Sequence, residues 1–186
     1  TSAGCQQRKD AIAAAPAVSL FRIYRDTRFS EDKSPLKTQV GAVFPHRDLG
    51  RKAGACFYVE IGPAGTLIAG GIHAPSPQEL KTIRHHIAAN HARLRTIVEA
   101  PSFRRATGGL RGDQLVRVPR GVHPDHPAAD YLRFKQWLGW VDHPAAFASS
   151  AAFYPAVVRT FRALAPLVRY LNEPLLGASR PPSRPA

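Results

Sequence analysis

A charged segment at residues 21–37, with the sequence FRIYRDTRFSEDKSPLK, holds the residue types in this chain that are most suited to chemistry. Five cationic and three anionic side chains share its seventeen positions, so the cations are in surplus. The planar, fork-shaped donors of arginine suit phosphate and carboxylate groups. The surplus therefore predicts a pocket for an anionic ligand, formed by Arg22, Arg25, Arg28, Lys33 and Lys37.

The same segment also has an architectural interpretation. A charge lattice in which Arg25 meets Asp26, and Asp32 meets Lys33, would fix a long loop onto a sheet, because a buried cation without a partner is costly. A third interpretation, with Ser30 as nucleophile and Lys33 as base, lacks the partner motifs that such acyl-enzymes carry. Asp26 and Asp32 are therefore predicted to be structural carboxylates.

Two glycines and a histidine farther along the chain are predicted to share this cleft. Gly70 and Gly71 lie in a β-rich run, where a missing side chain lets another backbone or a ligand come close. His73 follows them. In the alternative that the protein is an enzyme acting on a small anionic substrate, Asp26, Asp32 or His73 would be the proton-transfer group. No cofactor is predicted in either case.

The net charge indicates a second class of anionic partner. Lys plus Arg number 26 against 13 Asp plus Glu, which gives a formal charge of +13 and a pI near 10.7. Residues 81–120 hold nine of these cations and two carboxylates, a distribution typical of a nucleic-acid surface. Heavy use of Ala, Arg and Pro is also typical of a GC-rich bacterial genome, in which case the charge implies no partner. The residues predicted for the nucleic-acid surface are Arg84, Arg95, Arg104 and Arg105.

Neither a metal site nor cysteine chemistry is predicted. His123 and His126 flank Asp125, but zinc sites use three or four ligands in a helical or cysteine-rich frame, so these residues are predicted to form a loop and a helix cap. Cys56, in an apolar run, is predicted to be a core thiol. The small number of cysteines and the lack of any run of about 18 apolar residues favour a cytoplasmic protein without a membrane partner. Oligomeric state is not predicted.

A β-hairpin is the clearest of the elements that would position the first site. Residues 56–61 and 66–72 are β-rich and flank the sequence GPAG, whose residue types suit a turn. Further extended segments are predicted from polarity and β-rich composition at residues 20–25, 40–44, 115–118 and 137–141.

Helices are predicted after the hairpin. The sequence SPQE at residues 76–79 is a capping box that starts a helix. Asn90 could cap a second segment and split this helix, and Pro101 ends it. Two later helices are predicted, one with Asp125 as its N-cap and one over residues 157–171.

Four motifs in this order resemble a known family. They are FRIYRDTRFSEDKSPLKT, IAGGIH before SPQELKTIRHHI, GGLRGDQLVRVPRGV and DHPAADYLRFKQW, and they extend over roughly residues 20–175. The chain is similar to members of the domain of unknown function 2461 family. The resemblance implies an α+β architecture and carries over no catalytic residue, because the family has no established activity. The chain departs from the family pattern at Leu36, where an aromatic residue is expected, and in its lead-in before residue 20.

The predicted architecture is a single α+β domain with a mainly antiparallel sheet, whose central β-hairpin is packed by amphipathic helices. This domain is predicted over residues 20–176, after an N-terminal arm or short helix at 1–19 and before a disordered Pro/Arg-rich tail at 177–186. Binding of a small anionic ligand is the first functional hypothesis. The enzyme and nucleic-acid alternatives both stay open.

Overall fold

The computed structural model describes residues 20–21, 38–50 and 52–178. Its four strands are β1 Val40–Phe44, β2 Cys56–Gly62, β3 Gly65–Ile72 and β4 Trp137–His143. Its helices are α1 Pro77–Glu99, α2 Pro101–Thr107, α3 Ala129–Leu132 and α4 Phe153–Ala178, with a 3-10 turn at Ala145–Ser149.

One antiparallel sheet in the order β1-β2-β3-β4 forms the frame of the described chain. β2 and β3 make the predicted hairpin, whose register closes with Gly62 opposite Gly65. β4 pairs with the free edge of β3, so the extended segment predicted at 137–141 is confirmed. Because helices pack on this sheet, the predicted α+β class with a central hairpin is confirmed too.

α1 begins as the sequence predicts. The Ser76 hydroxyl accepts a hydrogen bond from the Glu79 amide at 3.3 Å, and the Glu79 carboxylate accepts one from the Ser76 amide at 2.8 Å. Asn90 has φ −127° and ψ 28°, which are not helical, so the predicted split is present as a kink. α1 ends at Glu99, before Pro101, and Pro101 then opens α2.

α4 covers one face of the sheet and builds the core there. Leu164 is fully buried against Gly70 and Gly139, where an added Cβ would lie 3.1 Å and 2.6 Å from its side chain. Phe57 and Trp137 belong to the same buried cluster. The two glycines therefore let the helix lie close to the sheet, and the opposite face of the sheet stays available for a site.

The strand predicted at residues 115–118 is wrong. Pairing with the chain before β4 occurs earlier, through single bridges of Arg111 with Leu138 and of Gln114 with Phe134. The side chain of Val116 is 93% exposed, so the apolar residues of this stretch do not form the half-buried face that a strand here would need. The apolar pattern of this stretch is not the pattern of a buried face.

Asp125 is not the N-cap of a helix, which corrects a second prediction. α3 has only four residues, its N-cap position is Ala128, and no side chain caps it. The preceding backbone forms turns instead, with the His126 amide bonded to the His123 carbonyl at 3.0 Å. Pro127 disfavours a helical conformation at His126, so a helix cannot start as early as the residue types suggested.

Two further predictions concern the chain ends and the membrane. No helix in the described ranges is long and apolar enough to cross a membrane. α4 continues to Ala178, two residues beyond the predicted domain boundary at 176. The predicted arm at 1–19 and residues 179–186 of the predicted tail lie outside the described residues, and the predicted domain limits therefore stay predictions.

Candidate functional site

A cavity of about 1110 Å³ lies on the face of the sheet that α4 does not cover. We call it the open-face cavity. Its floor is made of residues that alternate along three strands with those of the core, because successive side chains of a strand point to opposite faces. The floor residues are Cys56, Tyr58 and Glu60 from β2, Leu67, Ala69 and Gly71 from β3, and Leu138, Trp140 and Asp142 from β4.

The strand register arranges this floor in rows. Tyr58 lies opposite Ala69, and Ala69 lies opposite Trp140, so two aromatic side chains flank one methyl group. Adjacent strands are spaced by about 4.8 Å, which places the backbones of Tyr58 and Trp140 about 10 Å apart. We call the space above Ala69 the aromatic slot. The Tyr58 ring extends over β1, where a Cβ added at Gly41 would lie 2.8 Å from its hydroxyl oxygen.

Three carboxylates line the cavity, and each already has a neutral hydrogen-bond donor. Glu60 accepts from the Tyr58 hydroxyl at 2.5 Å and from the Gln39 amide at 3.1 Å. Asp142 accepts from the Trp140 indole at 3.1 Å, and Asp113 accepts from the Gln136 side chain at 3.0 Å. Each of these carboxylates therefore has a hydrogen-bond partner within the described residues that is not a cation.

Two weakly acidic side chains on β2 stay protonated at neutral pH. Burial, together with the hydrogen bond to Glu60 and its negative charge, raises the pKa of the Tyr58 phenol. Burial raises the pKa of the Cys56 thiol to about 11. A thiol with this pKa is not a nucleophile at neutral pH, as predicted, but Cys56 is half-buried on the cavity floor, so the prediction that it lies in the core is wrong.

Arg111 is the cation that the fold fixes at the cavity wall. Its backbone is held by two hydrogen bonds with Leu138, at 2.8 and 2.9 Å. Its guanidinium carbon lies 4.6 Å from the ring centroid of Trp140, a cation–π arrangement. Within the described residues the guanidinium has neither a carboxylate partner nor a hydrogen bond to any other side chain.

The predicted residues Gly70, Gly71 and His73 all border the open-face cavity. The space at Gly71 is taken by the backbone of β4, because an added Cβ would lie 2.1 Å from the Trp137 carbonyl oxygen. The space at Gly70 is taken on the core side by Leu164. His73 follows β3 and is exposed, at the same end of the cavity as Arg111.

The predicted anion-binding cations Arg22, Arg25, Arg28, Lys33 and Lys37 and the predicted lattice carboxylates Asp26 and Asp32 lie outside the described residues. The described residues on either side of them contact the cavity differently. Phe21 lines it and meets the Tyr58 ring edge-on, at 6.1 Å between centroids. Gln39, on the other side, bonds to Glu60. Phe21, at the start of the charged segment, and Gln39, two residues after its end, therefore both contact the side of the cavity that Tyr58 and Glu60 form.

The four predicted nucleic-acid residues lie on two helices, α1 and α2. Arg84 is half-buried and donates to the Phe134 carbonyl at 3.0 Å, whereas Arg95 is exposed. The kink at Asn90 lies between them, so the condition that would place them on one helical face is not met. Arg104 and Arg105 belong to α2, where Arg105 donates to the carbonyl of Pro101 at 3.2 Å.

The histidines give no metal site in the described part of the chain, where no group of three or more potential ligands converges. His123 lies 3.7 Å from Asp125, and both are exposed. His86 is half-buried, and its ring packs 4.6 Å from that of Tyr170. Burial lowers the pKa of His86, against the opposing charge of Glu173.

The fold and the cavity define an α+β protein with a ligand-sized depression on the open face of an antiparallel sheet. The chain belongs to the family described as conserved hypothetical protein (DUF2461), whose model matches residues 2–170. The resemblance seen in the motifs is thereby confirmed, and the function of the family is unknown. No curated protein and no solved structure matches the chain significantly.

Sequence reasoning missed Tyr58, Trp140 and Arg111 as site residues. A signal for the first two was present, because Tyr58 and Glu60 alternate with the apolar residues of β2, and Trp140 and Asp142 do the same in β4. Polar and aromatic residues at alternate strand positions indicate a second, non-core face. Arg111 gave no such signal, since only the pairing with Leu138 brings it to the cavity.

Proposed function

We propose that this protein binds a small organic ligand that carries a planar part and an anionic group, and that the ligand occupies the open-face cavity. The observation that supports this most strongly is Arg111. Arg111 lines the cavity, and its guanidinium lies over the Trp140 ring. Among the described residues, no carboxylate pairs with this guanidinium.

The cation–π contact leaves the guanidinium able to bind an anion. Stacking on Trp140 uses the face of the planar group, whereas its N–H donors lie in the plane and point away from its edge. A carboxylate or phosphate can accept two of these donors side by side. Arg111 is thus oriented by Trp140 before any ligand arrives, which lowers the entropic cost of binding.

Two of the three cavity carboxylates lie away from this cation, and the third, Asp113, is two residues from Arg111 and accepts a hydrogen bond from the Gln136 side chain at 3.0 Å. Asp142 is four residues from Leu138 along β4, and Leu138 is the bridge partner of Arg111, so the backbones are about 13 Å apart. Glu60 and Asp142 share the row of Leu67 at that far end. A bound anion is therefore proposed at the Arg111 end, because two of the three carboxylates lie at the other end and the Asp113 carboxylate already has the Gln136 side chain as a partner.

The aromatic slot accounts for the planar part of the ligand. Tyr58 and Trp140 supply two ring surfaces, and Ala69 between them keeps the floor low. Rings are attracted to such surfaces in offset or edge-on arrangements. The cations Arg22, Arg25, Arg28, Lys33 and Lys37 are proposed as further contacts, because Phe21 before them lines the cavity and Gln39 after them bonds to Glu60.

A pair of ligands and a pair of variants test this proposal. 2-Naphthoate has a planar ring and a carboxylate, and 2-naphthalenemethanol has the same ring without the charge. Wild-type protein should bind the first more tightly in isothermal titration calorimetry. Ala69→Leu should weaken 2-naphthoate binding by filling the slot, whereas Ala64→Leu in the exposed turn should not. Equal affinity for both compounds, or unchanged binding by Ala69→Leu, would contradict the proposal.

The charged segment has its own test. Asp32→Asn should lower stability if the carboxylate belongs to a lattice, because a paired cation loses its partner. Arg28→Ala should leave the melting temperature nearly unchanged and weaken 2-naphthoate binding. The opposite pattern, a large loss of stability in Arg28→Ala with normal binding, would make the segment architectural. The enzyme and nucleic-acid alternatives stay predictions from the sequence.

A further inference from the structure

A second depression, of about 770 Å³, lies between the first half of α1 and the loop at residues 119–122. We call it the basic groove. None of its described lining residues lines the open-face cavity. It is therefore a separate site candidate on the helical side of the molecule.

The charged residues that line the basic groove are all cations. Lys81 and Arg84 come from α1, and Arg120 comes from the facing loop, while no Asp or Glu is found in the described lining. His85 and His86 add two imidazoles. The nearby Glu173 carboxylate accepts from both guanidinium nitrogens of Arg93, one of them at 2.7 Å, and it also lies 3.8 Å from His86. The described lining thus carries three cationic side chains, and the carboxylate beside it, Glu173, is paired with Arg93 outside the groove.

The positive charge of Arg84 is the least well stabilised of the three. Its side chain is half-buried and is held by one hydrogen bond to the Phe134 carbonyl, at 3.0 Å, rather than by a carboxylate. Burial lowers its pKa, which shows that the surroundings disfavour the charged form. Because a partly buried cation gains most from a nearby anion, a bound anion would supply the missing partner.

The floor of the groove is apolar. Leu80, Ala88, Val122 and Leu132 line it between the cations. A hydrated inorganic ion would leave this surface uncovered, whereas an organic group attached to the anion would cover it. Three cations around one depression suit a doubly charged group better than a single carboxylate.

We infer that the basic groove is a second ligand site, which takes a phosphate monoester with an apolar organic group. Lys81 and Arg120 contact the phosphate from the two sides of the groove, and Arg84 contributes its charge from below. The site is independent of the function proposed for the open-face cavity.

Phenyl phosphate is the probe, measured by isothermal titration calorimetry at low ionic strength. Because it could also enter the open-face cavity, the titration is done in an Arg111→Ala background, which removes the cation of that cavity. Binding should persist there. Adding Lys81→Ala and Arg120→Ala should weaken it at least tenfold, and since both side chains are exposed the fold should be unaffected. Adding Arg95→Ala and Arg104→Ala instead should have little effect, since both are exposed outside the groove.

Three results would overturn the inference. One is the absence of phenyl phosphate binding in the Arg111→Ala protein. The second is an equal loss of affinity in the groove variant and in the control variant, which would indicate a diffuse charge effect. The third is competition by a single-stranded oligonucleotide that binds more tightly than phenyl phosphate and loses affinity in the same groove variant, which would make the groove a nucleic-acid surface. Phosphate ion alone should bind more weakly than phenyl phosphate, as the apolar floor requires.

Discussion

Gly71→Ala should destabilise the fold by breaking the close approach of β4 to β3. Gly71 has φ +132°, a conformation that residues with a Cβ rarely adopt, and this costs about 1–2 kcal/mol. The added Cβ would also lie 2.1 Å from the Trp137 carbonyl oxygen, so the β4 backbone has to move. Loss of about two ladder hydrogen bonds there would cost about 2 kcal/mol more. The expected decrease in the free energy of unfolding is about 3–4 kcal/mol.

Gly109→Ala is the matched control, because it separates backbone conformation from crowding. Gly109 has φ +135°, nearly the same as Gly71, but an added Cβ there meets no atom within 4 Å. Gly109→Ala should therefore lower the free energy of unfolding only by the cost of the unfavourable backbone conformation, about 1–2 kcal/mol. Urea unfolding of both variants gives the two free energies. If Gly71→Ala costs no more than Gly109→Ala, the packing of β4 against Gly71 is not what requires glycine there.

Two further predictions concern the attachment of residues 54–55 to the helices. Asn172→Ala should lower the free energy of unfolding by about 2–4 kcal/mol, because it leaves the buried N–H and C=O of Ala55, bonded to Asn172 at 2.7 and 2.9 Å, without partners. A loss below 1 kcal/mol in urea unfolding would contradict this. Burial alone would raise the pKa of Glu79, but hydrogen bonds from Ser76 and the Gly54 amide outweigh it and hold the pKa below its ordinary value. Because the folded pKa is below the unfolded one, this stabilisation is present above about pH 4.3 and is lost as the pH falls through the folded pKa. Between about pH 5 and pH 3, Glu79→Gln should therefore lose less stability than wild type, and equal slopes of stability against pH would contradict that sign.

The local elements were predictable because their signals are local. The turn at 62–65 needs residues that suit turn dihedrals, and the capping box at 76–79 is a reciprocal pair of hydrogen bonds within four residues. The kink at Asn90 was also visible, since asparagine favours a break in a helix. Such features depend on a few neighbouring side chains, which the sequence displays directly.

The wrong predictions fall in stretches whose structure is determined by contacts with residues distant in the sequence. Residues 115–118 look extended, but the partner strand is met earlier, at Arg111 and Gln114, because the position of β4 sets the pairing. The site depends on distant contacts in the same way. Its slot requires Tyr58 and Trp140 to lie two strands apart across Ala69, a relation between residues 58, 69 and 140 that only the sheet register supplies.

The central claim, that Arg111 binds the anionic group of a ligand in the open-face cavity, is tested most directly by titrating 2-naphthoate into wild-type, Arg111→Ala and Arg117→Ala proteins. Arg117 is an exposed arginine six residues away that does not line the cavity, so its variant controls for the loss of one positive charge. The account predicts that Arg117→Ala binds as wild type does, and that Arg111→Ala binds at least about tenfold more weakly, as expected for the loss of charge-assisted hydrogen bonds. Equal affinities in the two variants would contradict it.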